Sequence, residues 1–439
     1  MINVRLLIAA CFLPFAVKAQ APAATPVIKT SSQVLRGFMD KRFGMFIHWG
    51  PVSLRGTEIG WSRNHEVAQP DYDSLYREFN PVLFNADSWV KAAKDAGMKY
   101  ITLTAKHHDG FCLWPTAFTA YNIMNTPFKR DVVGELAKAC RKYGIKFCLY
   151  YTVLDWYDSR YPIHNNGIKE ADPKAGMAAF VLYMKQQLKE LITGYHPYMI
   201  WFDGNWEAPW TLAMGQGIYS YLKQLDKDLI INNRLGKGTH KLMGPETVGD
   251  YATPEQEVGG INMTSPWESC ITICHQWSWK PNDQMKTLKQ CIQTLAGTAG
   301  GNGNLLFNVG PMPDGRIEAR QVNRLKEMGR WLQQYGEAVY GTLGGPYKPD
   351  TVFAATRRGS KIYLHVFSAA GGQLQVPALP ALKALKIYFL KGDPVHFTQD
   401  GNFITIQMPP ALPDNNDSVL VMEMSGSVEQ VPLVEKKSL

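Results

Sequence analysis

Residues that could do acid, base or nucleophilic chemistry stand at the ends of successive apolar segments of this 439-residue chain. They are His48, His107, His108, Tyr151, Trp201, Asp203, Arg234 and Glu268. Two carboxylates among histidine and aromatic side chains are typical of glycoside hydrolysis, in which one attacks the sugar carbon and the other protonates the leaving oxygen. The residue types therefore predict a sugar-cleaving site, provided that the fold brings them together.

Asp203 is the predicted nucleophile. It follows the apolar run at residues 198–202 and precedes Gly204, which places it at the tip of a predicted buried strand. Arg234 would supply a cation that lowers the pKa of the Asp203 carboxyl. The Asp-Gly pair is also ordinary turn chemistry, so a purely structural role for Asp203 at the start of the next helix stays open.

Glu268 is the predicted proton donor, because the adjacent Trp267 could desolvate its carboxyl group and raise its pKa. The sequence His107-His108-Asp109 raises a metal site as an alternative chemistry, since histidine is the commonest metal ligand. A metal-dependent hydrolase needs further His or carboxylate ligands at other strand ends, where this chain carries Tyr, Trp and Arg. We therefore expect no metal and no other cofactor.

The elements that must position these residues alternate between apolar strands and amphipathic helices. Predicted strands cover residues 43–50, 100–110, 146–152, 198–203, 229–234, 267–273 and 304–310, and predicted helices cover 87–96, 132–143, 175–192, 216–225 and 319–336. Parallel strands joined by right-handed crossovers bring their carboxyl ends to one rim. This pattern predicts an α/β fold, a (β/α)₈-like barrel with an irregular second half. An open doubly wound sheet is the alternative, although no GxGxxG turn supports it.

The pattern changes past Gly345, where apolar and polar residues alternate with a period of two, as at residues 362–367 and 403–408. Turn residues separate these runs. We therefore predict a C-terminal antiparallel β-sandwich at residues 345–427, behind a catalytic barrel at 31–344 and before a tail at 428–439.

The first residues have the features of a secretory leader. Arg5 precedes an apolar run at residues 6–17, and small side chains follow at the positions that a signal peptidase reads. We expect a signal peptide at 1–19, a linker at 20–30 and a secreted or periplasmic protein without a membrane span; lipid anchoring at Cys11 is the alternative. The net charge of +8 is modest, and no long basic run indicates nucleic-acid binding.

Several motifs, in order, resemble the α-L-fucosidases of glycoside hydrolase family 29. They are HWG at residues 48–50, TAKHHDGF at 104–111, YY at 150–151, WFDG at 201–204, NNR at 232–234, WESC at 267–270 and NGNLLFNVGP at 302–311. The resemblance spans residues 35 to about 340. It implies an irregular (β/α)₈ barrel followed by a β-sandwich, and hydrolysis of terminal α-L-fucosyl residues of fucosylated glycans with retention and without a metal.

The resemblance also implies roles for individual residues. Asp203 would be the nucleophile, and the fucose-binding residues would be His48, Trp61, His107, His108, Tyr151, Trp201 and Arg234. Glu268 matches one common pattern for the acid/base residue, with Glu255 and Glu257 in the sequence PEQE as rivals. A carbohydrate-binding protein that has lost catalysis stays open as an alternative. Residues 274–279 depart from the pattern of many relatives, so the sequence does not predict which linkage is cleaved. The sequence does not predict the oligomeric state either.

Overall fold

The structure, a computed structural model, describes residues 29–164, 176–368 and 372–434. The predicted signal peptide and the possible lipid anchor at Cys11 lie outside the described residues. At the end of the predicted linker, Thr30 is already buried, and its hydroxyl donates to the Leu229 carbonyl at 3.2 Å and to Asp250 at 2.9 Å. The barrel therefore holds the chain from this residue onward.

A parallel sheet forms the first domain. Its strands are β1 (Phe43–Ile47), β2 (Tyr100–Lys106), β3 (Lys146–Thr152), β4 (Met199–Asp203), β5 (Ile230–Ile231), β6 (Glu268–Thr272) and β7 (Asn304–Val309). They pair in the order β5-β4-β3-β2-β1-β7-β6. Nearly every residue of these strands is buried, because a barrel sheet is covered by side chains inside and by helices outside.

Helices surround this sheet. They are α1 (Ser32–Met39), α2 (Gln69–Ser74), α3 (Ala86–Asp95), α4 (Val132–Tyr143), α5 (Met177–Tyr195), α6 (Leu212–Leu225), α7 (Leu288–Gly300) and α8 (Ala319–Tyr335). Local sequence explains their ends: the Asp131 side chain caps the start of α4, and Gly144 ends it with φ of 71°. The helix α7 was not predicted, because its glycines and threonines weaken the helical pattern; a capping box of Thr287 and Gln290 starts it.

Residues 248–255 close the barrel between β5 and β6 through single parallel bridges. Asn232 is bridged to Tyr251 on one side of this segment, and Glu255 is bridged to Cys270 on the other. Backbone bonds support the closure, from the Asp250 amide to the Ile231 carbonyl at 2.6 Å and from the Glu268 amide to the Ala252 carbonyl at 2.9 Å. We call this segment the seam. The predicted (β/α)₈-like barrel is confirmed, and the seam is the irregular part of its second half.

The second domain is the predicted antiparallel β-sandwich. One sheet has the order β12-β15-β10-β9-β8 and the other the order β11-β14-β13. The strands are β8 (Leu343–Gly344), β9 (Phe353–Arg358), β10 (Lys361–Val366), β11 (Gln373–Pro377), β12 (Ala384–Phe389), β13 (Phe397–Gln399), β14 (Phe403–Gln407) and β15 (Ser418–Met424). Part of the predicted tail packs here, since Arg357 donates to the carbonyls of Val428 at 2.9 Å and Val431 at 2.5 Å.

The two domains share a buried polar contact. The Trp331 indole of α8 donates to the Asp417 carbonyl at 3.3 Å, and His365 of β10 meets the Asp417 carboxylate at 2.7 Å. The other ring nitrogen of His365 lies 3.3 Å from the carbonyl of Ala338, which follows α8. Across the three described ranges, no helix combines the length and the apolar character needed to cross a membrane.

Candidate active site

The carboxyl ends of the barrel strands surround a cavity of about 350 Å³. This is the rim where (β/α)₈ enzymes bind their substrates. The cavity is lined by Phe46, His48, Trp61, His107, Tyr150, Trp201, Asp203, Trp206, Arg234, His240, Glu255, Cys270 and Trp277. Most of the residues singled out in the sequence therefore meet here, although they come from distant parts of the chain.

Asp203, the last residue of β4, lies at the centre of this cavity. Its Oδ1 accepts a hydrogen bond from Arg234 Nη1 at 2.8 Å, and its Oδ2 accepts one from the Tyr150 hydroxyl at 3.2 Å. The Nε2 atom of His108 is 3.7 Å from the same Oδ2. These contacts hold the carboxylate in one orientation, as a nucleophile at a strand end requires.

The charge state of Asp203 follows from these neighbours. Burial alone would raise the pKa of the Asp203 carboxyl, but the positive charge of Arg234 and the contact with His108 outweigh it, so this pKa lies below its usual value. The guanidinium is itself held in place, because Arg234 also donates to the Thr253 hydroxyl at 2.9 Å and packs 4.5 Å from the Trp201 ring. Asp203 is therefore ionised and aligned at neutral pH.

Three histidines lie around Asp203 in their neutral form. Burial lowers the pKa of His48 to about 3 and that of His108 to about 4, and it lowers the pKa of His107 well below its usual value. His48 meets Asn308 at 2.6 Å, and His108 meets the Thr152 hydroxyl at 2.8 Å. A neutral imidazole donates from one nitrogen and accepts at the other, which suits binding of sugar hydroxyls.

Tyr150, and not the predicted Tyr151, belongs to the site. The Tyr150 ring stacks on His107, with ring centroids 5.2 Å apart and planes 8° apart. Tyr151 points to the other side of β3, where its hydroxyl donates to Gln187 of α5 at 2.6 Å and Lys106 lies 4.5 Å from its ring. Neighbouring residues of a strand face opposite sides, so only one of this pair can reach the cavity.

The structure contradicts the choice of Glu268 as proton donor. Glu268 is the first residue of β6, so it lies at the amino end of the strand, inside the barrel and away from the rim. Its carboxyl group accepts hydrogen bonds from the Tyr100 hydroxyl, from the Trp201 indole at 3.2 Å and from the Tyr251 hydroxyl at 3.3 Å. Burial raises the pKa of Glu268 to about 8 against the opposing effect of these donors. The group therefore supports the floor of the cavity from beneath.

Glu255 supplies the second carboxylate of the cavity. It ends the seam, and its Oε2 accepts a hydrogen bond from Arg234 Nη2 at 2.8 Å. Arg234 thus holds Asp203 and Glu255 on two nitrogens of one guanidinium. Glu257, the other rival, forms an ion pair with Lys241 at 2.8 Å and does not line the cavity.

The cavity includes aromatic residues outside the predicted set of catalytic and fucose-binding residues. Trp277 packs beside His48 with ring centroids 4.9 Å apart, and Phe46 packs edge-on against the same ring at 4.4 Å. Trp206 stacks on the predicted Trp61 at the mouth, with centroids 5.8 Å apart. Both indoles are about two-fifths exposed, at 41% for Trp61 and 43% for Trp206. Their aromatic side chains, close in sequence to the predicted strand ends, were the signal that could have assigned them to the site.

Hydrogen bonds from behind the cavity hold the backbone at Gly60, the residue before Trp61. Tyr72 donates to the Asp109 carboxylate at 2.7 Å and accepts from the Gly60 amide at 2.8 Å.

The described residues contain no group of three or more His, Cys, Asp or Glu side chains that could hold a metal ion. His107 and His108, the residues that raised the metal alternative, instead lie against the Tyr150 ring and the Asp203 carboxylate.

Two carboxylates on one arginine, with neutral histidines and aromatic rings around them, are a glycosidase arrangement. The family model described as alpha-L-fucosidase matches residues 16–337 of this chain. The chain belongs to the α-L-fucosidase family, glycoside hydrolase family 29. It is therefore a glycoside hydrolase with α-L-fucosidase activity.

Relatives with similar length support this assignment. An α-L-fucosidase of Branchiostoma floridae is 29% identical to this fucosidase over an alignment of 407 positions, which covers 85% of this chain and 88% of the relative. Among solved structures, α-L-fucosidase isoenzyme 1 from Paenibacillus thiaminolyticus has a TM-score of 0.80 and 32% identity, with 89% of this chain and 99% of that chain covered. A trapped covalent intermediate of a Bacteroides thetaiotaomicron α-L-fucosidase has a TM-score of 0.82 and 28% identity, with 91% and 98% covered.

Proposed function

We propose that this fucosidase is a retaining exo-enzyme that removes terminal α-L-fucosyl residues from fucosylated glycans by double displacement. The observation that carries the proposal is the pair of carboxylates, Asp203 and Glu255, held on Nη1 and Nη2 of Arg234. Retaining glycosidases need two carboxyl groups roughly 5 to 5.5 Å apart, whereas inverting enzymes leave a wider space for water. Each carboxylate lies 2.8 Å from a nitrogen of the same guanidinium, so the two groups are close together, which favours the retaining arrangement.

In the first step, Asp203 Oδ attacks the anomeric carbon while Glu255 gives its proton to the leaving oxygen. The bond between the anomeric carbon and that oxygen breaks, and a fucosyl ester forms on Asp203. The ionised state of Asp203 and its contacts with Arg234 and Tyr150 suit this attack. The trapped covalent intermediate of the Bacteroides thetaiotaomicron enzyme supports this order of events.

In the second step, Glu255 takes a proton from water, which attacks the anomeric carbon and releases Asp203. Esterification has removed the negative charge of Asp203, so Arg234 then has only the Glu255 carboxylate to neutralise. The side chain of Glu255 is 37% exposed, which gives water access to it.

The shape of the cavity supports exo-cleavage. Trp201 covers its floor, and His48, His107 and Tyr150 line its wall, so the cavity is closed at the bottom and holds a terminal monosaccharide. Its volume of about 350 Å³ is of the size of small-ligand pockets. The neutral histidines would bind the fucose hydroxyls, and the aromatic rings would contact its apolar faces.

Hydrolysis of 4-nitrophenyl α-L-fucoside, followed by proton NMR of the first fucose released, tests the proposal. The wild type should release the α-anomer first, and Asp203→Asn should lose at least about a thousandfold in kcat, because the amide cannot attack. Initial release of the β-anomer would overturn the retaining mechanism. Failure to cleave any fucoside, with fucose still bound, would favour the alternative of a carbohydrate-binding protein.

We also propose that the protein is exported. The support is the leader-like composition of residues 1–19, with Arg5 before an apolar run. Fractionation of the native host, followed by N-terminal sequencing of the mature chain, tests this. A mature chain that begins near residue 20 is expected, and a lipid-modified Cys11 would show anchoring instead.

A further inference from the structure

His240 is a residue of the cavity that no family motif in the chain identified. It lies on the loop at residues 235–247, between β5 and the seam, and it lines the cavity together with Asp203 and Glu255. It stands apart from the histidines that surround the fucose position, because those follow β1 and β2.

Backbone contacts fix His240 next to the segment that carries Glu255. The His240 carbonyl accepts from the Thr253 amide at 2.7 Å and from the Asn233 side chain at 3.1 Å. The following residue, Lys241, forms an ion pair with Glu257 at 2.8 Å. The loop is therefore attached to the chain on both sides of Glu255, at Thr253 within the seam and at Glu257 just after it.

The other end of the loop is attached to the segment that carries Trp206. The Asn205 side chain donates to the Gly236 carbonyl at 2.6 Å, and Lys237 Nζ donates to the Glu207 carbonyl at 2.9 Å. The loop thus connects the acid/base side of the cavity to the exposed indole of Trp206 at its mouth. A sugar attached to fucose would leave through this side, because the proton donor must face the leaving oxygen.

The imidazole of His240 has the chemistry to bind a hydroxyl group there. Burial, together with the nearby Arg234, lowers the pKa of His240 to about 4, so the ring is neutral and has one donor and one acceptor. Its Nδ1 is buried without a hydrogen-bond partner within the described part of the chain. His240 lines the cavity and its backbone is held in place, so this ring is a fixed, neutral group that can bind a polar ligand.

We propose that His240 is a specificity-determining residue that hydrogen-bonds a hydroxyl group of the leaving-group sugar. The inference rests on the proposed function and deepens it: the substrates are fucosyl disaccharides and longer glycans whose second sugar contacts His240. The chemistry on fucose itself belongs to Asp203 and Glu255, so His240 contributes only when the leaving group carries a hydroxyl-bearing ring.

The test compares α-L-fucosyl fluoride, whose leaving group is one atom, with a panel of α1,2-, α1,3- and α1,4-linked fucosyl disaccharides. Wild type, His240→Ala, His240→Gln and the control His396→Ala, in the β-sandwich, are assayed in parallel. His240→Ala should lower kcat/KM about tenfold or more for the best disaccharide, the effect of one lost hydrogen bond, and change it less than about threefold for the fluoride. His240→Gln, which keeps a donor and an acceptor, should recover part of the loss.

Equal losses on fluoride and disaccharide would overturn the inference, because they would place His240 in the fucose subsite or in a purely structural role. Unchanged kcat/KM for every disaccharide would overturn it as well. A wild type that hydrolyses the fluoride and no disaccharide would overturn the inference and leave the proposed function in place. A wild type inactive on the fluoride would overturn the proposed function itself.

Discussion

At the scale of single residues, the two carboxylates of the cavity have different environments that match different tasks. The Asp203 side chain is 13% exposed and is bound on both oxygens, whereas Glu255 is 37% exposed and shares Arg234 with it. A nucleophile gains from fixed alignment, and a group that carries protons to and from water gains from access to solvent. This difference agrees with the roles proposed for the two groups.

Glu255→Ala should lose about 10² to 10⁴-fold in kcat on fucosyl disaccharides, which need general acid catalysis. With an aryl fucoside, whose leaving group needs less protonation, azide should restore turnover and yield fucosyl azide. The matched control is Glu257→Ala, a carboxylate two residues away in an exposed ion pair. Full activity of Glu255→Ala on disaccharides, or azide rescue of the Glu257 variant instead, would contradict the assignment.

Glu268 should affect stability in a pH-dependent way. Its pKa is raised by burial from the usual 4.5 to about 8, so the folded state holds a proton that the unfolded chain loses. Its contribution to the free energy of unfolding is fully present below about pH 4.5 and is lost as the pH rises through about 8.

The Glu268→Gln variant keeps a neutral polar group and lacks this titration. Its melting temperature relative to wild type should therefore be higher at pH 8 than at pH 5, as thermal unfolding in matched buffers would show. The retained neutral group should also keep kcat on aryl fucosides within about tenfold of wild type at pH 6. A melting-temperature difference that does not change with pH would disprove the raised pKa.

At the scale of elements, much of the barrel could be predicted from the sequence and its closure could not. Apolar runs marked β1 to β4, β6 and β7, because strands buried on both faces are continuously hydrophobic. The seam has no such run: it pairs through isolated bridges and carries glycine, proline and acidic residues. Glu255 therefore looked like a residue of a solvated loop.

The sequence analysis misplaced two site residues, Tyr151 and Glu268, and each error has a specific cause. In β3, Tyr150 and Tyr151 are both buried and both aromatic, so the sequence does not indicate which of them faces the barrel interior. Glu268 was grouped with the residues at the carboxyl ends of strands, although the predicted strand at 267–273 and the observed β6 both begin next to it. Because parallel strands run towards the rim, a carboxylate at the start of a strand lies at the opposite end of the barrel.

A substitution at Gly249 tests how much the seam contributes to stability and activity. Its φ is 154°, and a Cβ atom at this position would lie 2.0 Å from the Asn232 carbonyl oxygen, so there is no space for a side chain. Gly249→Ala should destabilise the fold by about 2 kcal/mol or more. It should also reduce activity, because Arg234 is bridged to Val248 of the seam and Glu255 is the last residue of the seam.

The matched control for this change is Gly217→Ala, at an exposed position of α6 where no atom lies within 4 Å of the added methyl group. It should stabilise the helix by about 0.5 to 1 kcal/mol, since alanine is the better helix former. Denaturant unfolding of both variants measures the two effects. Equal stability of Gly249→Ala and wild type would contradict the role given to the seam.

At the scale of the whole molecule, the β-sandwich is attached to the barrel by groups that have few other partners. Asp417 is completely buried, and His365 lies between its carboxylate and the Ala338 carbonyl. The sequence predicted the sandwich from its period-two pattern, but no local pattern reports contacts between residues about 50 positions apart. The structure makes this contact one of the links between the domains, beside the hydrogen bond from the Gln293 side chain of α7 to the Asn416 carbonyl at 3.0 Å.

His365→Ala should lower the free energy of unfolding by about 3 to 5 kcal/mol, because it leaves the buried Asp417 carboxyl without its partner. Scanning calorimetry should show a lower melting temperature for the barrel as well as for the sandwich. His396→Ala, in the same domain and exposed, serves as the control. A barrel transition at the wild-type temperature would show that the domains are energetically independent.

The central claim is that Asp203 attacks fucose while Glu255 manages the proton. Its most direct test is incubation of the Glu255→Gln variant with 2-deoxy-2-fluoro-α-L-fucosyl fluoride, followed by intact-mass measurement and peptide mapping. A single fluorofucosyl adduct on Asp203, absent from Asp203→Asn, is the predicted result. No adduct, or an adduct on another carboxylate such as Glu268, would contradict the account.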